Sequence, residues 1–372
     1  MKQIPLSSRL LTTPQCIISW DELTWDLLIQ QGYASGLLAR MYNVLSTEKL
    51  LEHIPKHIIW HFESAYKLYQ AHYLDVVYEM DKLSQALNVA GIMPVFLKGA
   101  GYIASRDNSY FGRLFADVDI YIPKNKIASA EQMLKWQGWE SKKLDDYDES
   151  YYRKWMHEIP PMSHKMRGMT LDVHHSLTPL TSKMAMDVEK LEKKVVLSNE
   201  TGYQTLSPED RVLHSAIHLL LDSEFSKGFR DLSDLDIMLR EFSGKNSDFW
   251  CALVSRAEDL AVGRVLYYCL MSCHQIFETP IPDEVIKQIK GFSPSKIVNK
   301  IMLTCFYAVL LPNHNSCVPR YINIANNILF LRSHWLKMPM HILIPHLFHK
   351  SFITPFTEWN KQQKETEQNL KG

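Results

Sequence analysis

The chain has 372 residues, 46% of them apolar, and balances 41 Lys and Arg against 41 Asp and Glu. That apolar content supports a sizeable core and argues against disorder, and the length is enough for two or three compact units. A net charge of zero argues against a large nucleic-acid footprint, which makes a domain basic, but leaves room for a small basic pocket.

The six cysteines, Cys16, Cys251, Cys269, Cys273, Cys305 and Cys317, are scattered and form no CxxC pair. That spacing suits free thiols in a reducing compartment better than a disulfide framework or a zinc ribbon. The opening MKQIPLSSRLLTTPQ lacks a long apolar segment, and the longest apolar run, IMLTCFYAVLLP at 301–312, is too short to span a bilayer. The expectation is a soluble cytoplasmic protein.

In chain order, residues 20–90 show helical spacing of apolar residues, interrupted at Gly32. Pro55 opens a long amphipathic stretch that ends at Gly91, a suitable position for a helix C-cap. Trp20, Trp25 and Trp60 are read as core. MPVFL (93–97) is a short strand run that passes at once into KGAGYIASR. DVDIYIP (117–123) alternates as a strand and stops at Pro123; KNKIASAEQMLKWQG (124–138) is helical; MTLDVHHSL (169–177) alternates again. Within the polar, aromatic segment 140–168, SYYRKWM reads as a further strand. LSPED (206–210) is a helix start, with Ser207 as N-cap and Pro208 at the first position. Helix then dominates 207–355, with breaks near Gly244, Pro280, Pro312 and Pro319, and a polar tail follows.

DVDIYIP carries the chemistry. Side chains alternate across a strand, so Asp117, Asp119 and Tyr121 share one face, and Val118, Ile120 and Ile122 the other. Two carboxylates about 4 Å apart repel by roughly 4 kcal/mol at an effective dielectric near 20, a penalty that a divalent cation removes. Mg²⁺ takes hard oxygen ligands, commonly one or two carboxylates plus substrate phosphates. A third carboxylate is available in LDVHH, where Asp172 and His174 share a face. Taken alone, D-x-D fits a solvated strand face as well as a metal site, and the chain has two others, Asp146/Asp148 and Asp234/Asp236. Context favours the metal reading: FLKGAGY places glycines after a strand, where backbone N–H groups at a helix start hold phosphate, and Lys98 adds a charge.

These features together resemble the uncharacterised nucleotidyltransferase branch of the DNA polymerase β-like superfamily. The resemblance is carried by Leu97-Lys98-Gly99, by Arg113 ahead of DVDIYI, by Gly138-Trp139, by Leu171-Asp172-Val173-His174, and by the helix from Ser207 to His218. A late segment, FLRSHWLKMPMHILIPHLFHKSF (330–352), is similar to the branch's C-terminal end. Where the wider superfamily opens its site with Gly-Ser, this chain has Lys98-Gly99-Ala100.

The resemblance implies an α+β fold: a small mixed-sheet nucleotidyltransferase core (91–180) between an N-terminal helical region (1–90) and a C-terminal helical domain (181–355), followed by the tail (356–372). It implies transfer of an NMP from an NTP, ATP first among them, to a hydroxyl or similar acceptor on a small molecule, sugar, peptide or protein, with release of pyrophosphate. Two Mg²⁺ ions, with Mn²⁺ as a substitute, are implied at Asp117, Asp119 and Asp172, with Asp172 helping to deprotonate the acceptor. Lys98, Gly99, Ala100 and Arg113 are the implied nucleotide contacts. His174 stands behind the metal ligands or meets the acceptor, and both readings stay open. Neither an extended nucleic-acid surface nor a membrane span is expected.

Two other classes compete. A catalytically weak nucleotide-binding, antitoxin-like regulator needs no full set of three carboxylates. A kinase needs a GxGxxG loop and an HRD-like motif, and neither is present. His214 and His218, four apart on a helix, read as core or capping histidines in the absence of an HExxH motif. Cys269 and Cys273 read as small apolar residues of a buried helix. Arg230, Asp231 and Asp234 fit either surface ion pairs or a cleft wall.

Overall fold

The computed structural model describes residues 4–141, 146–184 and 186–348. The predicted tail at 356–372, and the end of the predicted helical region beyond 348, lie outside the described residues. The fold is α+β: one mixed seven-stranded sheet with helices before and after it.

Three helices, α1 (Leu6–Thr12), α2 (Glu22–Ser35) and α3 (Leu38–Thr47), precede the 30-residue α4 (Ile59–Asn88). Asp21 caps α2 by accepting from the Thr24 N–H at 2.9 Å. α4 begins four residues after Pro55, and the chain leaves it through Gly91 at φ +65°. Phe62, Tyr69, Val76, Met80, Leu83 and Leu87 recur on its buried face at three-, four- and seven-residue intervals. Trp25 is buried, as read from the sequence, but Trp60 is exposed and stacks on His61 at 3.6 Å. Trp60 precedes that buried stripe by two residues, which turns it toward solvent.

The sheet comprises β1 (Val95–Leu97), β2 (Asp117–Tyr121), β3 (Trp139–Ser141), β4 (Met162–His164), β5 (Thr170–His174), β6 (Val196–Leu197) and β7 (Gln204–Thr205), in the order β3-β4-β5-β2-β1-β7-β6. β2 runs parallel to β5 and antiparallel to β1, and its register sets Asp119 opposite both Leu97 and Asp172. α5 (Lys98–Ser105) follows β1 without a linker, and α6 (Ile127–Trp136) follows β2.

The two sheet faces enter different cores. Val118, Ile120, Phe96, Leu171 and Val173 pack with α4, α5 and α6. Val95, Leu97 and Tyr121 belong to a larger cluster that also takes in α1–α3 and the helices after the sheet. Those helices are α9 (Pro208–Leu221), α10 (Gly228–Lys245), α11 (Phe249–Asp259), α12 (Gly263–Phe277), α13 (Asp283–Ile289), α14 (Lys296–Val309) and α15 (Ile322–Lys337); α8 (Val188–Glu192), between β5 and β6, joins the same cluster, and α16 (Met340–Phe348) follows in the chain. Cys269 and Cys273 are both fully buried on α12. No helix among the described residues is long and apolar enough to cross a membrane.

One element differs in kind from the sequence reading. SYYRKWM is not a strand but the end of α7 (Asp146–Trp155). Its tyrosines favour strands, but Arg153 bonds both Glu149, one turn earlier, and Glu131 on α6, pairings that suit a helix. The strand of this region lies later, at β4, after Pro160-Pro161.

Candidate active site

Alternation along β2 does what its sequence implies. Val118 and Ile120 are fully buried against α4 and α6, so Asp117 and Asp119 project from the opposite face, toward α9 and α10. Asp119 is 3% exposed, whereas Asp117, at the start of the strand, is open to solvent. Asp172 on the neighbouring strand joins them in direct register with Asp119.

These carboxylates floor a cavity of about 270 Å³. Lys98, Gly99 and Arg113 line it with Asp117, Asp119 and Asp172. The first residues of α10 close the far side: Lys227, Gly228, Arg230 and Asp231. Two helices thus begin at the cavity with the same dipeptide, Lys98-Gly99 and Lys227-Gly228, and the first backbone N–H groups of a helix have no partner within it. A second cavity, of about 230 Å³, lies beyond Lys98, Asp172, His218 and Asp222, which line both. His174 faces that second space. The Ala100 side chain is buried with the sheet-backing helices and lines neither, leaving its backbone as what it can offer.

Lys98 adopts φ +45°, a conformation unfavourable for a residue with a Cβ, exactly where β1 gives way to α5. Its Nζ reaches Asp119 Oδ1 at 2.6 Å, and His174 Nε2 meets the same oxygen at 3.0 Å. Burial opposes the charge on Asp119, yet Lys98 and His174 hold it well below the usual carboxylate range. Burial likewise opposes the charge on Lys98, but Asp119, Glu158 and Asp117 keep its pKa above the ordinary value. Although Asp117 meets solvent, the protein packed around it strips part of its hydration and, with the nearby Asp119 charge, raises its pKa. Burial, with Asp119 and Glu158 nearby, pushes Asp172 up to about 7. Asp172 Oδ1 is buried and makes no hydrogen bond.

The raised Asp172 pKa has a measurable consequence. Folding retains a proton that the unfolded chain, with its carboxyl near 3.8, releases. This stabilisation is complete below about pH 4 and is lost as pH rises through about 7. Burial lowers His157 and His214, the latter to about 3, and their linkage runs the opposite way, adding stability as pH rises toward 6.5 and complete above it. The informative quantity is therefore a difference. In chelator, the thermal midpoint of the wild type should fall relative to that of Asp172→Asn between pH 5 and pH 8, and Mg²⁺ at pH 8 should reverse the loss. A constant difference across that range contradicts the assignment.

Arg113 is placed on the cavity wall but is not free. It pairs with Asp231 at 3.2 Å and with Asp234. Asp234 also pairs with Arg40 at 2.7 Å, and Arg230 with Asp231 at 2.7 Å. Three guanidiniums against two carboxylates leave one net positive charge, with Arg113 and Arg230 on its cavity side. The choice left open between surface ion pairs and a cleft wall resolves as the cleft wall: Arg230 and Asp231 pair there and line the cavity, while Asp234 is buried behind them.

Gly99 is explained by contact. A Cβ there would lie 2.9 Å from Phe115 Cδ1 and 3.3 Å from Arg113 Nε. Gly99→Ala should displace both side chains and lower turnover roughly 10²-fold while the chain stays folded, as steady-state kinetics beside a circular-dichroism melt would show.

Sequence reasoning missed Glu158 and Lys227, and assigned His218 no role. The Lys-Gly at the start of α10, repeating that of α5, was the available signal for Lys227. His218 is open to the cavity although its α9 neighbour His214 is buried in the core. The positive charge of Lys98, then the shortage of bulk water inside the cavity, keeps the His218 pKa well below the ordinary value.

The family model described as an uncharacterised nucleotidyltransferase matches residues 21–278, which runs from the cap of α2 to the end of α12 and takes in the whole sheet and both cavity-facing helix starts. The late likeness at 330–352 lies beyond the matched span. No curated protein and no solved structure matches the chain. With more than half of its length matched, the chain belongs to the uncharacterised nucleotidyltransferase family and is a nucleotidyl-transferring enzyme.

Proposed function

We propose that the enzyme transfers an NMP from ATP to a hydroxyl or similar acceptor on a small molecule, sugar, peptide or protein, using Mg²⁺ held by Asp117, Asp119 and Asp172. The observation that carries this reading is the register of Asp119 with Asp172 on adjoining parallel strands, above a cavity whose opposite wall is cationic. The fit to a hard divalent cation rests on the donor set, three carboxylates, and on the buried, unpartnered Asp172 Oδ1. Mn²⁺ would substitute. When bound, such ions supply charge stabilisation to the attacking and leaving oxygens.

The protein's own groups do the rest. Lys98, Lys227 and the net positive cluster of Arg113 and Arg230 offset triphosphate charge, and the N–H groups opening α5 and α10 orient it. The acceptor oxygen forms a bond to the α-phosphorus as the bond to the bridging oxygen breaks, and pyrophosphate leaves. The acceptor's proton passes to Asp172 at Oδ2, the carboxylate oxygen left over when Oδ1 faces the cation. The free cysteines accord with a reducing, cytoplasmic setting.

The test uses α-labelled and γ-labelled ATP, with and without Mg²⁺, on the wild type and Asp117→Ala, with the protein itself included among the acceptors. Incorporation of the α-label, absent without Mg²⁺ and in the variant, is the expected result. Incorporation of the γ-label alone would replace this reading with a kinase. Tight nucleotide binding without turnover on any acceptor would favour the regulator.

A further inference from the structure

The second cavity holds a group of side chains that the nucleotidyl-transfer reading does not use. His157 and Glu158 lie on an extended segment between α7 and β4, and Glu158 pairs with His174 as an isolated antiparallel bridge. The segment is tied to β5 by backbone bonds from Ile159 N to Val173 O at 3.1 Å and from His175 N to His157 O at 2.8 Å. The His157 and His174 rings stand 5.2 Å apart. One donor atom from each of His157, Glu158 and His174 lies within 4.8 Å of the other two.

Two features point to a ligand. His174 is 2% exposed, and its Nδ1 makes no hydrogen bond; Nδ1 of His157 is likewise buried and unpartnered. His174 Nδ1 instead sits 3.5 Å from Glu158 Oε2. A neutral imidazole that donates from Nε2 to Asp119 carries a lone pair on Nδ1, which would then face a carboxylate oxygen. A cation between them removes that conflict. In addition, Asp119 bonded to Nε2 at 3.0 Å reproduces the carboxylate–histidine arrangement that orients metal-ligating histidines and fixes their tautomer.

We propose that His157, Glu158 and His174 form a binding site for a divalent transition ion of the zinc type, distinct from the three-aspartate site and linked to it through the Asp119–His174 hydrogen bond. Two imidazoles and one carboxylate select such an ion over Mg²⁺, which prefers oxygen ligands alone. The adjoining cavity of about 230 Å³ leaves space for water or an acceptor group in an open coordination position. The site stands independently of the transfer chemistry proposed above.

The experiment titrates the chelator-stripped full chain with Co²⁺ in excess Mg²⁺, and records X-ray absorption on the wild type loaded with about one equivalent of Zn²⁺. The expected results are about one Co²⁺ with visible d–d absorption, two imidazoles in the zinc spectrum, loss of that binding in His157→Ala and its retention in Asp117→Asn. The His157 side chain takes no part in the backbone bonds that hold its segment, and the spectrum of the wild type decides the matter even where the variant fails to fold. No uptake, an all-oxygen shell, a single imidazole, or unchanged binding in folded His157→Ala would overturn the proposal. An imidazolium bridging Asp119 and Glu158, seen by NMR as a doubly protonated His174 in the presence of Zn²⁺, would overturn it as well.

Discussion

Replacing Asp119 with Asn should lower nucleotidyl transfer by roughly 10³-fold or more, the scale on which one preorganised charge in an active site is felt. The side chain does three things at once. It stands in register with Asp172, it accepts from Lys98 at 2.6 Å, and it meets His174 at 3.0 Å. The amide keeps the shape but removes the charge that anchors Lys98 and completes the carboxylate set. The loss should fall on kcat more than on KM, because Lys227, Arg113 and Arg230, the proposed phosphate contacts, are left in place. Saturation kinetics with pyrophosphate release as the readout measures this split. A variant with kcat near that of the wild type would show that Asp119 serves the fold alone.

The second large effect concerns stability. Arg40 on α3 is 1% exposed, and burial lowers its pKa to about 9. Asp234 on α10 forms an ion pair with it at 2.7 Å and is equally buried. Arg40 also donates to the Ser109 carbonyl at 2.5 Å and to the Phe111 carbonyl at 3.2 Å, so one guanidinium ties α3, the loop ahead of β2 and α10 together. Removing one partner of a buried pair strands the other charge, at a cost of about 3–5 kcal/mol. Asp234→Ala should therefore shift the urea midpoint strongly downward at an unchanged slope. It should also loosen Arg113 on the cavity wall and weaken ATP binding. The double variant Arg40→Met/Asp234→Leu should recover much of the stability, since no charge is then left unpaired, but not the binding. Equal loss in the single and double variants would contradict this account.

The elements that position the chemistry are legible in the sequence because they are governed by local alternation. DVDIY and TLDVH show the two-residue period over their whole length, and both are strands with their aspartates on the cavity side. Ser207-Pro208 opens α9, with the Ser207 hydroxyl accepting from the Asp210 N–H at 3.3 Å. Four strands of two or three residues escaped notice, since β3, β4, β6 and β7 are too short to display a period. SYYRKWM misled for a different reason: its aromatic residues favour a strand locally, and of the two pairings of Arg153 that favour helix only the one with Glu149 is local, the one with Glu131 being tertiary.

The site shows the same division. Asp117, Asp119, Asp172, Lys98, Gly99 and Arg113 line one cavity, as a single run of motifs suggested. That Arg113 shares its charge with Asp231 and Asp234 was not legible, because more than a hundred residues separate those partners. Nor was the approach of His157 to His174, which depends on a β-bridge formed by a single residue pair.

The most direct test of the three-aspartate site is a crystal structure of the protein with Mn²⁺ and a non-hydrolysable ATP analogue, read by anomalous scattering. The account predicts Mn²⁺ among the carboxylates of Asp117, Asp119 and Asp172, with the triphosphate in the 270 Å³ cavity beside Lys98 and the start of α10. Nucleotide bound elsewhere, or Mn²⁺ away from all three aspartates, would contradict it.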